Sequence, residues 1–453
     1  MTEPYLIIPS ENRTREFDAK LLTACCAVEA GYRVIVGSRH DIHLSIDRLP
    51  RSTYVGKDLR ASSALMTRIL TRLGHRIVAW DEEGLVYHTR DHYLAARVHA
   101  PVLHACKLLF AWGRDNAETW RNAAQYDGTP IKEVGNPRID LLRPELRGLH
   151  HPHVEALRRQ FGNYILVNSN FGGVNHVLSD AEKTVFDRLR CAKAAAYHRE
   201  VLQHRRILFA QFLEAVPALA QAFPGTAIVV RPHPSENPQP WQELARNNGN
   251  VHVRHEGGIV PWLLGARAIV HNGCTTAIEG AILGCRVISY QPVVSGLYDI
   301  PLPNSLSEVA TDIDELVEKL QRSSQAMARP PTPNAARDIL HSHIAALDGS
   351  LSSDRVVAAI DDLGPLARRP RGAGLLQGLR GCIQASTRRR RKTLANDLAD
   401  HKNGAAYNAH RFQPITLAEV QSGIEGLRRC LGRFDTVGAR RLLPDVFELG
   451  PVR

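Results

Sequence analysis

Residues 268–290 read AIVHNGCTTAIEGAILGCRVISY and carry the clearest structural pattern of the chain. The pattern predicts a short apolar strand, a polar turn over 272–274, a helix that begins at Thr275 and Thr276, and a second strand. A strand, a turn and a helix in this order form the repeating unit of a parallel α/β sheet. Because the first-turn N–H groups of such a helix have no intrahelical partners, the turn is also suited to hold an anion.

The same alternation of strand and helix extends along most of the chain. A Pro- and His-containing stretch at 142–155 is typical of a linker. The sequence predicts two parallel α/β, Rossmann-like domains (1–150 and 160–325) that face each other across a cleft, and then a helical C-terminal extension (326–453). Further strands are expected at 5–9, 32–38, 75–80, 108–113, 164–170 and 227–230, and a long helix is expected over 181–222.

The composition is that of an ordinary globular protein. Of the 453 residues, 44% are hydrophobic and 23% are charged, and no apolar run is long enough to cross a bilayer. The N-terminus has neither a basic region nor a long apolar one, so no signal peptide is expected. The eight cysteines form no CxxC pair, which favours reduced thiols and a cytoplasmic location over a zinc site or a disulfide framework.

The positive charge is concentrated in one segment. The net charge is +11, and residues 363–392 carry nine Arg or Lys and no acid. Since the rest of the chain is nearly neutral, a nucleic-acid partner is not expected. Leu and Ile alternate with the basic residues, so the segment either rests on an anionic membrane surface or forms a solvated tail.

An acidic turn, Asp81-Glu82-Glu83-Gly84, follows the strand expected at 75–80. Repulsion among three adjacent carboxylates is expected to raise at least one of their pKa values and to leave a usable general base. The alternative is a solvated turn without a catalytic role. The position at the carboxyl end of a predicted strand is what gives the catalytic interpretation its weight.

A basic turn, Arg231-Pro232-His233-Pro234, follows the strand expected at 227–230. The two prolines restrict the backbone around His233 and so hold the imidazole in place. Arg231 and His233 can both donate hydrogen bonds to a phosphate. The alternative is a structural turn with a capping histidine.

The third cluster is the predicted helix start itself. The Thr275-Thr276 pair, with Asn272 and Gly273 before it and Glu279 one turn into the helix, is predicted to bind a phosphate. The alternative is a plain helix N-cap, with Glu279 forming something close to a capping box.

Weaker candidates for substrate binding are Asn168, Asn170 and Asn175 in VNSNFGGVNH, and Arg15 after the first strand. Amide groups suit a sugar or a phosphate, and an arginine suits an acidic group. No GxGxxG follows the first strand and no Walker motif occurs, so no dinucleotide cofactor is expected. The DxD at 312–314 is interpreted as a helix N-cap, so no metal is expected.

Taken together, the three clusters resemble the motifs of bacterial sialyltransferases and related CMP-sugar glycosyltransferases of GT-B fold. Those enzymes carry an acidic D/E-D/E-G motif, an HP motif and a paired Ser/Thr motif in this order. More broadly, residues 1–320 resemble the bacterial surface carbohydrate biosynthesis proteins. The stretches that carry these resemblances are REFDAKLL (15–22), DEEG (81–84), VGNPRIDLLRPEL (134–146), VNSNFGGVNH (167–176), RPHPSEN (231–237) and HNGCTTAIEGAILGCRVISY (271–290).

The resemblance implies a metal-independent glycosyltransferase without a cofactor other than its donor, a CMP-activated ulosonic acid such as Kdo or a sialic-acid-like sugar. It implies a lipid-linked or polysaccharide acceptor in O-antigen, capsule or lipopolysaccharide assembly. In the family the acidic motif serves the acceptor or the reacting sugar carbon, while the HP histidine and the Ser/Thr pair bind the CMP phosphate. Whether a carboxylate acts as base or as nucleophile stays open.

Two alternatives follow from the same motifs. CDP-glycerol glycerophosphotransferases share the HP and Ser/Thr features, so a CDP-alcohol phosphotransferase is the first alternative. The second is a nucleotide-binding scaffold without catalysis that docks to a membrane through residues 363–392.

Overall fold

A computed structural model describes residues 3–177, 192–325, 334–367, 373–396 and 412–452. The chain divides into two compact units. Unit 1 comprises Met1–Leu85, Arg90–Leu149 and Leu340–Arg453, and unit 2 comprises Val86–Thr89 and His150–Ile339. Residues 181–191 of the predicted long helix, the Pro-rich connection at 326–333 and the basic residues 368–372 lie outside the described residues.

The described residues form two sheets and the helices that cover them. The strands are β1 Tyr5–Ser10, β2 Arg33–Ser38, β3 Thr53–Gly56, β4 Arg76–Ala79, β5 Cys106–Ala111, β6 Ile131–Glu133, β7 Ile165–Asn168, β8 Ile228–Arg231, β9 Val251–Val253, β10 Ala268–His271, β11 Val287–Tyr290, β12 Glu308–Ala310, β13 Val437–Leu443 and β14 Val446–Pro451.

The α-helices are numbered in chain order. They are α1 Asp18–Glu29, α2 Arg39–Ser45, α3 Ala64–Leu73, α4 Arg90–Arg97, α5 Ala100–Leu103, α6 Arg114–Arg121, α7 Pro137–Asp140, α8 His151–Phe161, α9 Ala192–Ala222, α10 Gln239–Asn247, α11 Ile259–Gly265, α12 Thr275–Ile282, α13 Pro301–Ser305, α14 Ile313–Gln325, α15 Asn334–His343, α16 Ser352–Asp361, α17 Ala373–Asn396 and α18 Leu417–Leu431.

The sheet of unit 1 has eight strands in the order β13-β14-β2-β1-β3-β4-β5-β6. Strands β1 to β6 are parallel, and their apolar residues are buried because helices cover the sheet. The strand order reverses between β1 and β3, so the loops after these strands border a crevice at the carboxyl edge.

The sheet of unit 2 has six parallel strands in the order β12-β11-β10-β7-β8-β9. This is the order of the doubly wound dinucleotide-binding fold, with the reversal between β7 and β10. Apolar residues such as Ile165, Val230 and Ile288 form its core together with α9. The predicted class of two parallel α/β domains is confirmed.

The C-terminal part of the chain contains more than the predicted helices. Residues 340–453 belong to unit 1, and their helices α16 to α18 pack there. Strands β13 and β14 form an antiparallel hairpin, and β14 pairs with β2. This hairpin was not predicted because Arg440 and Arg441 interrupt the alternation of apolar and polar residues.

The basic segment ends in a helix that packs on unit 1. In α17, the Cβ position of Gly381 lies 3.1 Å from Cβ of Arg72, so the helix approaches α3 closely. Arg389 donates to both carboxylate oxygens of Asp47 at 3.1 and 2.8 Å. Residues 373–392 of the segment therefore belong to an ordered helix and not to a solvated tail. Within the described ranges, no helix combines the length and the apolar character that crossing a bilayer requires.

Candidate functional site

The carboxyl edge of the second sheet gathers the polar side chains of unit 2. Ligands of open α/β sheets bind where the strand order reverses, which here is between β7 and β10. Asn168 at the end of β7 pairs in register with His271 at the end of β10 and with Arg231 at the end of β8. The loops after these three strands therefore start at the same level, and they carry the residues predicted to bind phosphate.

Asn168 ties the two sides of this reversal together. Its amide nitrogen donates a 2.6 Å hydrogen bond to the Thr276 hydroxyl, which lies 2.5 Å from the Cys274 thiol. Asn168 and Cys274 are buried, so the turn before α12 is fixed against the end of β7. The Thr275 hydroxyl, by contrast, forms no hydrogen bond to any described residue and can bind a ligand.

The turn over 271–273 is organised by His271. Gly273 has a φ of 83°, which favours glycine, and its N–H donates a 2.9 Å hydrogen bond to Nδ1 of His271. Nε2 of the same ring therefore carries the proton and donates to the Ser307 hydroxyl at 2.8 Å. Burial lowers the pKa of His271 to about 3, so the ring is neutral and structural.

The helix start differs from the capping box that was the alternative to phosphate binding. Cys274 is the N-cap residue of α12, and no side chain accepts a capping hydrogen bond there. A capping box needs the acid three residues after the N-cap, whereas Glu279 is five residues after Cys274. Glu279 is also buried, so its carboxylate is not exposed for the contact with phosphate that was predicted from the sequence.

The HP loop is held by a residue that the sequence analysis did not single out. The buried carboxylate of Glu236 accepts hydrogen bonds from four donors. These donors are the Ser169 hydroxyl at 2.9 Å, the Phe171 N–H at 2.9 Å, the His233 N–H at 3.0 Å and the Trp241 indole at 3.2 Å. Burial raises the pKa of Glu236, and the four hydrogen bonds oppose that shift. Glu236 therefore joins the loops after β7 and β8.

His233 is exposed and its tautomer is set by Ser235. Nδ1 accepts a hydrogen bond of 3.2 Å from the Ser235 N–H and one of 2.7 Å from its hydroxyl. The neutral ring therefore carries its proton on Nε2, which acts as the donor. A Cβ on Gly172 would lie 2.1 Å from Oγ of Ser235, so a larger residue there would displace the hydroxyl that donates to His233. With Pro234 next to it, His233 is held in place, as predicted from the sequence.

Arg231 has a different environment from the one predicted. Its guanidinium donates to the backbone carbonyls of Glu256 at 2.9 Å and Gly257 at 3.1 Å, and it lies over the Trp262 ring at 4.9 Å. Burial lowers its pKa to about 10, so it stays protonated at neutral pH. Because two of its nitrogens hold the 256–257 turn, this geometry gives no support to a direct contact with phosphate.

The three asparagines besides Asn168 fall into two groups. Asn175 donates a 2.8 Å hydrogen bond to the Asn237 carbonyl, which holds two loops together. The side chain of Asn170 forms no hydrogen bond with described residues. Asn272 donates weakly to the Asn170 carbonyl at 3.4 Å, and its Oδ1 is buried without a partner among the described residues. Asn170 and Asn272 thus have hydrogen-bonding capacity left for a ligand.

The acidic turn of unit 1 is a set of ion pairs. Each of its three carboxylates has its own cation, so repulsion among them does not control their protonation. Asp81 pairs with Arg97 at 2.6 Å, the buried Glu82 pairs with the buried Lys20, and Glu83 pairs with Arg15 at 2.6 and 3.1 Å. The expectation of a base created by mutual repulsion is therefore wrong.

The pKa values follow burial and pairing. Burial raises the pKa of Asp81, although Arg97 opposes the shift. For Glu82 and Glu83, burial would also raise the pKa, but Lys20 and Arg15 outweigh it. The pKa of Glu82 is lowered, and that of Glu83 falls to about 2. Asp81 and Glu82 are almost fully buried, whereas the Glu83 side chain is 41% exposed. Glu83 is therefore the member of the turn whose carboxylate reaches solvent.

Glu16, an acid of the REFDAKLL stretch, has an environment that the sequence does not show. It lies in a π-helical turn, Arg13–Phe17, after β1, and accepts a 2.8 Å hydrogen bond from the Glu11 N–H. Burial, and then the charge of Glu82, raise its pKa to about 7. Such a shift at the carboxyl edge of a sheet is typical of functional acids. A single π turn is a further signal of this kind, but it is invisible in the sequence.

The comparisons with known proteins support the fold. No family model matches the chain, and no curated protein matches it. A putative UDP-N-acetylglucosamine 2-epimerase from Listeria monocytogenes is similar in structure, with a TM-score of 0.50 and 12% identity over 82% of this chain and 99% of that one. This likeness shows the fold alone, which is the GT-B type with two Rossmann-like domains.

Two further solved structures have lower TM-scores. The wall teichoic acid polymerase TagF gives 0.47 at 10% identity over 79% of this chain and 88% of that one. The UDP-GlcNAc 2-epimerase of Methanocaldococcus jannaschii, in complex with UDP-GlcNAc and UDP, gives 0.45 at 14% identity over 80% and 100%.

Proposed function

We propose that this protein is a nucleotide-sugar-dependent transferase of surface glycan assembly, and that the carboxyl edge of the second sheet binds the donor phosphate. The observation that carries the proposal is the set of hydrogen-bond donors at the point between β7 and β10 where the strand order reverses. His233 presents an Nε2 proton, and Thr275 and Asn170 have side chains without hydrogen bonds to described residues. Preorganised donors of this kind stabilise a departing phosphate.

The finer proposal is a CMP-ulosonate donor, such as CMP-Kdo or a CMP-sialic acid, and a lipid-linked or polysaccharide acceptor. It is supported by the order of the acidic, HP and paired-Thr motifs. A nucleotide-activated sugar with a single phosphate needs few fixed hydrogen-bond donors and no metal. This agrees with the interpretation of the DxD at 312–314 as a helix N-cap. Asp312 indeed accepts a 2.8 Å hydrogen bond from the Glu315 N–H. No cofactor besides the donor is invoked.

On unit 1, we assign acceptor contact to Glu83 and Arg15. Glu83 is exposed in part, whereas Asp81 and Glu82 fix the turn from inside. In the Arg15 pair, Glu83 is a weak base because its pKa is about 2. An acidic group of a substrate that engages Arg15 would weaken this pair and raise the pKa of Glu83, which would then take the proton of the acceptor hydroxyl.

We also propose that α17 contacts the anionic cytoplasmic face of a membrane. Leu375, Leu376, Leu379 and Ile383 are between 56% and 70% exposed on this helix. The groove between α17 and α3 is lined by Arg68, Arg72 and Arg380 and by no acid among the described residues. Exposed leucines beside arginines are the composition of a helix that lies on anionic lipid. Arg388 and Arg389 do not contribute, because they are partly buried against unit 1.

The test is a donor screen with product analysis. The protein is incubated with CMP-Kdo, CMP-sialic acid, CDP-glycerol and UDP-GlcNAc, with and without EDTA, and released CMP and UDP are measured. CMP release from a CMP-sugar that survives EDTA supports the proposal. CMP release from CDP-glycerol with phosphorus in the product supports the phosphotransferase, and release of UDP alone rejects a CMP donor. CMP binding without turnover of any donor supports the non-catalytic scaffold.

A further inference from the structure

A small pocket of unit 2 contains an arginine that none of the motifs includes. Arg205 projects from α9 and lines this pocket together with Asn272, Ser289, Gln291 and Asn304. Its Nη1 lies 3.9 Å from the Cβ position of Gly173, and its charge interacts with Glu236 and Cys274. It therefore lies beside the loops that follow β7, β8 and β10, next to the proposed phosphate site.

Arg205 has no partner in the part of the chain that the structure describes. It forms no hydrogen bond and no ion pair there. Among the described residues that line the pocket, Asp299 is the one acid, and it already accepts hydrogen bonds from His204 at 2.8 Å and from the Ser295 N–H at 2.7 Å. Burial lowers the pKa of Arg205, but the guanidinium remains charged. A partly buried charge without a partner is costly, and a bound anion offsets that cost.

The same pocket holds an unsatisfied acceptor. Oδ1 of Asn272 is buried and has no hydrogen-bond partner among the described residues. Ser289 and Gln291 do not satisfy it, because Ser289 donates to Asn304 at 2.9 Å and Gln291 donates to Ser289 at 2.8 Å. The pocket thus offers one cation and one acceptor, which together match an oxyanion with a hydroxyl group close to it.

We propose that Arg205 and Asn272 form an oxyanion subsite for the donor, with Arg205 pairing with a phosphate or a carboxylate and Asn272 accepting from a neighbouring hydroxyl. The inference rests on the proposed function, since it takes the ligand to be a nucleotide-activated sugar. The two sources of the oxyanion are the nucleotide phosphate and the carboxylate of the sugar. A guanidinium pairs with either in a bidentate geometry.

The test measures the binding of cytidine, CMP and CMP-sialic acid by calorimetry to the wild type, Arg205→Gln, Arg205→Lys and, as a matched control, Arg206→Gln. The gain in affinity from cytidine to CMP (the first step) reports the contact with the phosphate. The gain in affinity from CMP to CMP-sialic acid (the second step) reports the contact with the carboxylate. Arg205→Gln is expected to reduce one of these steps by about 10-fold or more, which corresponds to one charged hydrogen bond. Arg205→Lys keeps part of that step, and Arg206→Gln keeps all of it.

Thermal unfolding separates this role from a structural one. Loss of an unpaired charge leaves the Tm of unliganded Arg205→Gln unchanged or higher, whereas a structural arginine would lower it. If both steps are the same in Arg205→Gln and in the wild type, the subsite is rejected while the proposed function stands. If the wild type binds no cytidine ligand, the CMP donor is rejected, and uridine, UMP and UDP-GlcNAc replace the three ligands, so that the second step then reports the second phosphate with its neutral sugar and not a carboxylate. If it binds neither series, both proposals fail.

Discussion

The amide of Asn168 donates a 2.6 Å hydrogen bond to the hydroxyl of Thr276 across the point where the second sheet reverses its strand order. This bond links the end of β7 to the first turn of α12. It fixes the helix start whose N–H groups are proposed to face the donor phosphate. We therefore propose that Asn168 positions the site through Thr276 and its neighbours.

Substitution of Asn168 by Ala is expected to weaken nucleotide binding and to leave the Thr276 hydroxyl without its main partner. Loss of one buried hydrogen bond costs about 1 to 2 kcal/mol, which is a roughly 5- to 30-fold rise in Kd. Calorimetry with CMP measures the change. The exposed Asn247→Ala at the end of α10 is the control and should bind as the wild type. Equal Kd values for both variants would show that Asn168 does not shape the site.

Two neighbouring acids should respond differently to loss of charge. Glu82→Gln leaves the buried Lys20 ammonium without its anion, which is expected to lower the free energy of unfolding by about 3 to 5 kcal/mol. Glu83→Gln removes an exposed pair, so stability should change by less than about 1 kcal/mol, whereas turnover should fall strongly at unchanged donor Kd. Urea unfolding and initial rates measure the two effects. A stable and inactive Glu82→Gln would reverse this assignment.

Glu16 is expected to make stability depend on pH. Its pKa is about 7 in the folded protein, above the unfolded value near 4.5. The folded state therefore holds the proton of Glu16 more tightly than the unfolded state does. The contribution of protonated Glu16 to stability is fully present below pH 4.5 and is lost as the pH rises through 7. The free energy of unfolding of the wild type is therefore expected to fall by about 1 to 3 kcal/mol between pH 5 and pH 8, and Glu16→Gln should abolish this fall. Urea unfolding at both pH values measures this, and an unchanged difference would mean that Glu16 has an ordinary pKa.

Replacement of the exposed leucines of α17 should reduce membrane binding. Leu376→Ser with Leu379→Ser removes two side chains that are 63% and 59% exposed, so binding to vesicles that contain phosphatidylglycerol should fall several-fold. Activity on a soluble acceptor should not change. Val294→Ser, at a 66% exposed valine of unit 2, is the control. Cosedimentation measures binding, and equal binding of all three proteins would exclude α17 as the contact.

The sequence predicted the elements better than the contacts. Hydrophobic alternation and the turn residues located β7, β8 and β10 to within two residues of their ends, and α12 at its first residue, because both signals are local. The partners of Arg231 and Glu83 depend on residues distant in the chain, Glu256 and Arg15, and no local pattern reveals them. For the same reason, repulsion within the acidic turn was overestimated.

Roles that depend on the folded structure were also not predicted. Glu236 lies in the RPHPSEN stretch, yet its four donors come together only when the loops after β7 and β8 meet. Arg205 lies on a helix whose sequence is unremarkable, and its exposure to the site follows from the packing of α9. Glu16 acquires its raised pKa from burial, which a single sequence does not show. Each of these would need a contact map to be predicted.

The most direct test of the central claim is a crystal structure of the protein with bound CMP. We expect the phosphate at the carboxyl edge of the second sheet, with its oxygens about 3 Å from Nε2 of His233 and from the Thr275 hydroxyl. A phosphate bound at the edge of the first sheet, or on unit 2 away from both residues, would contradict it.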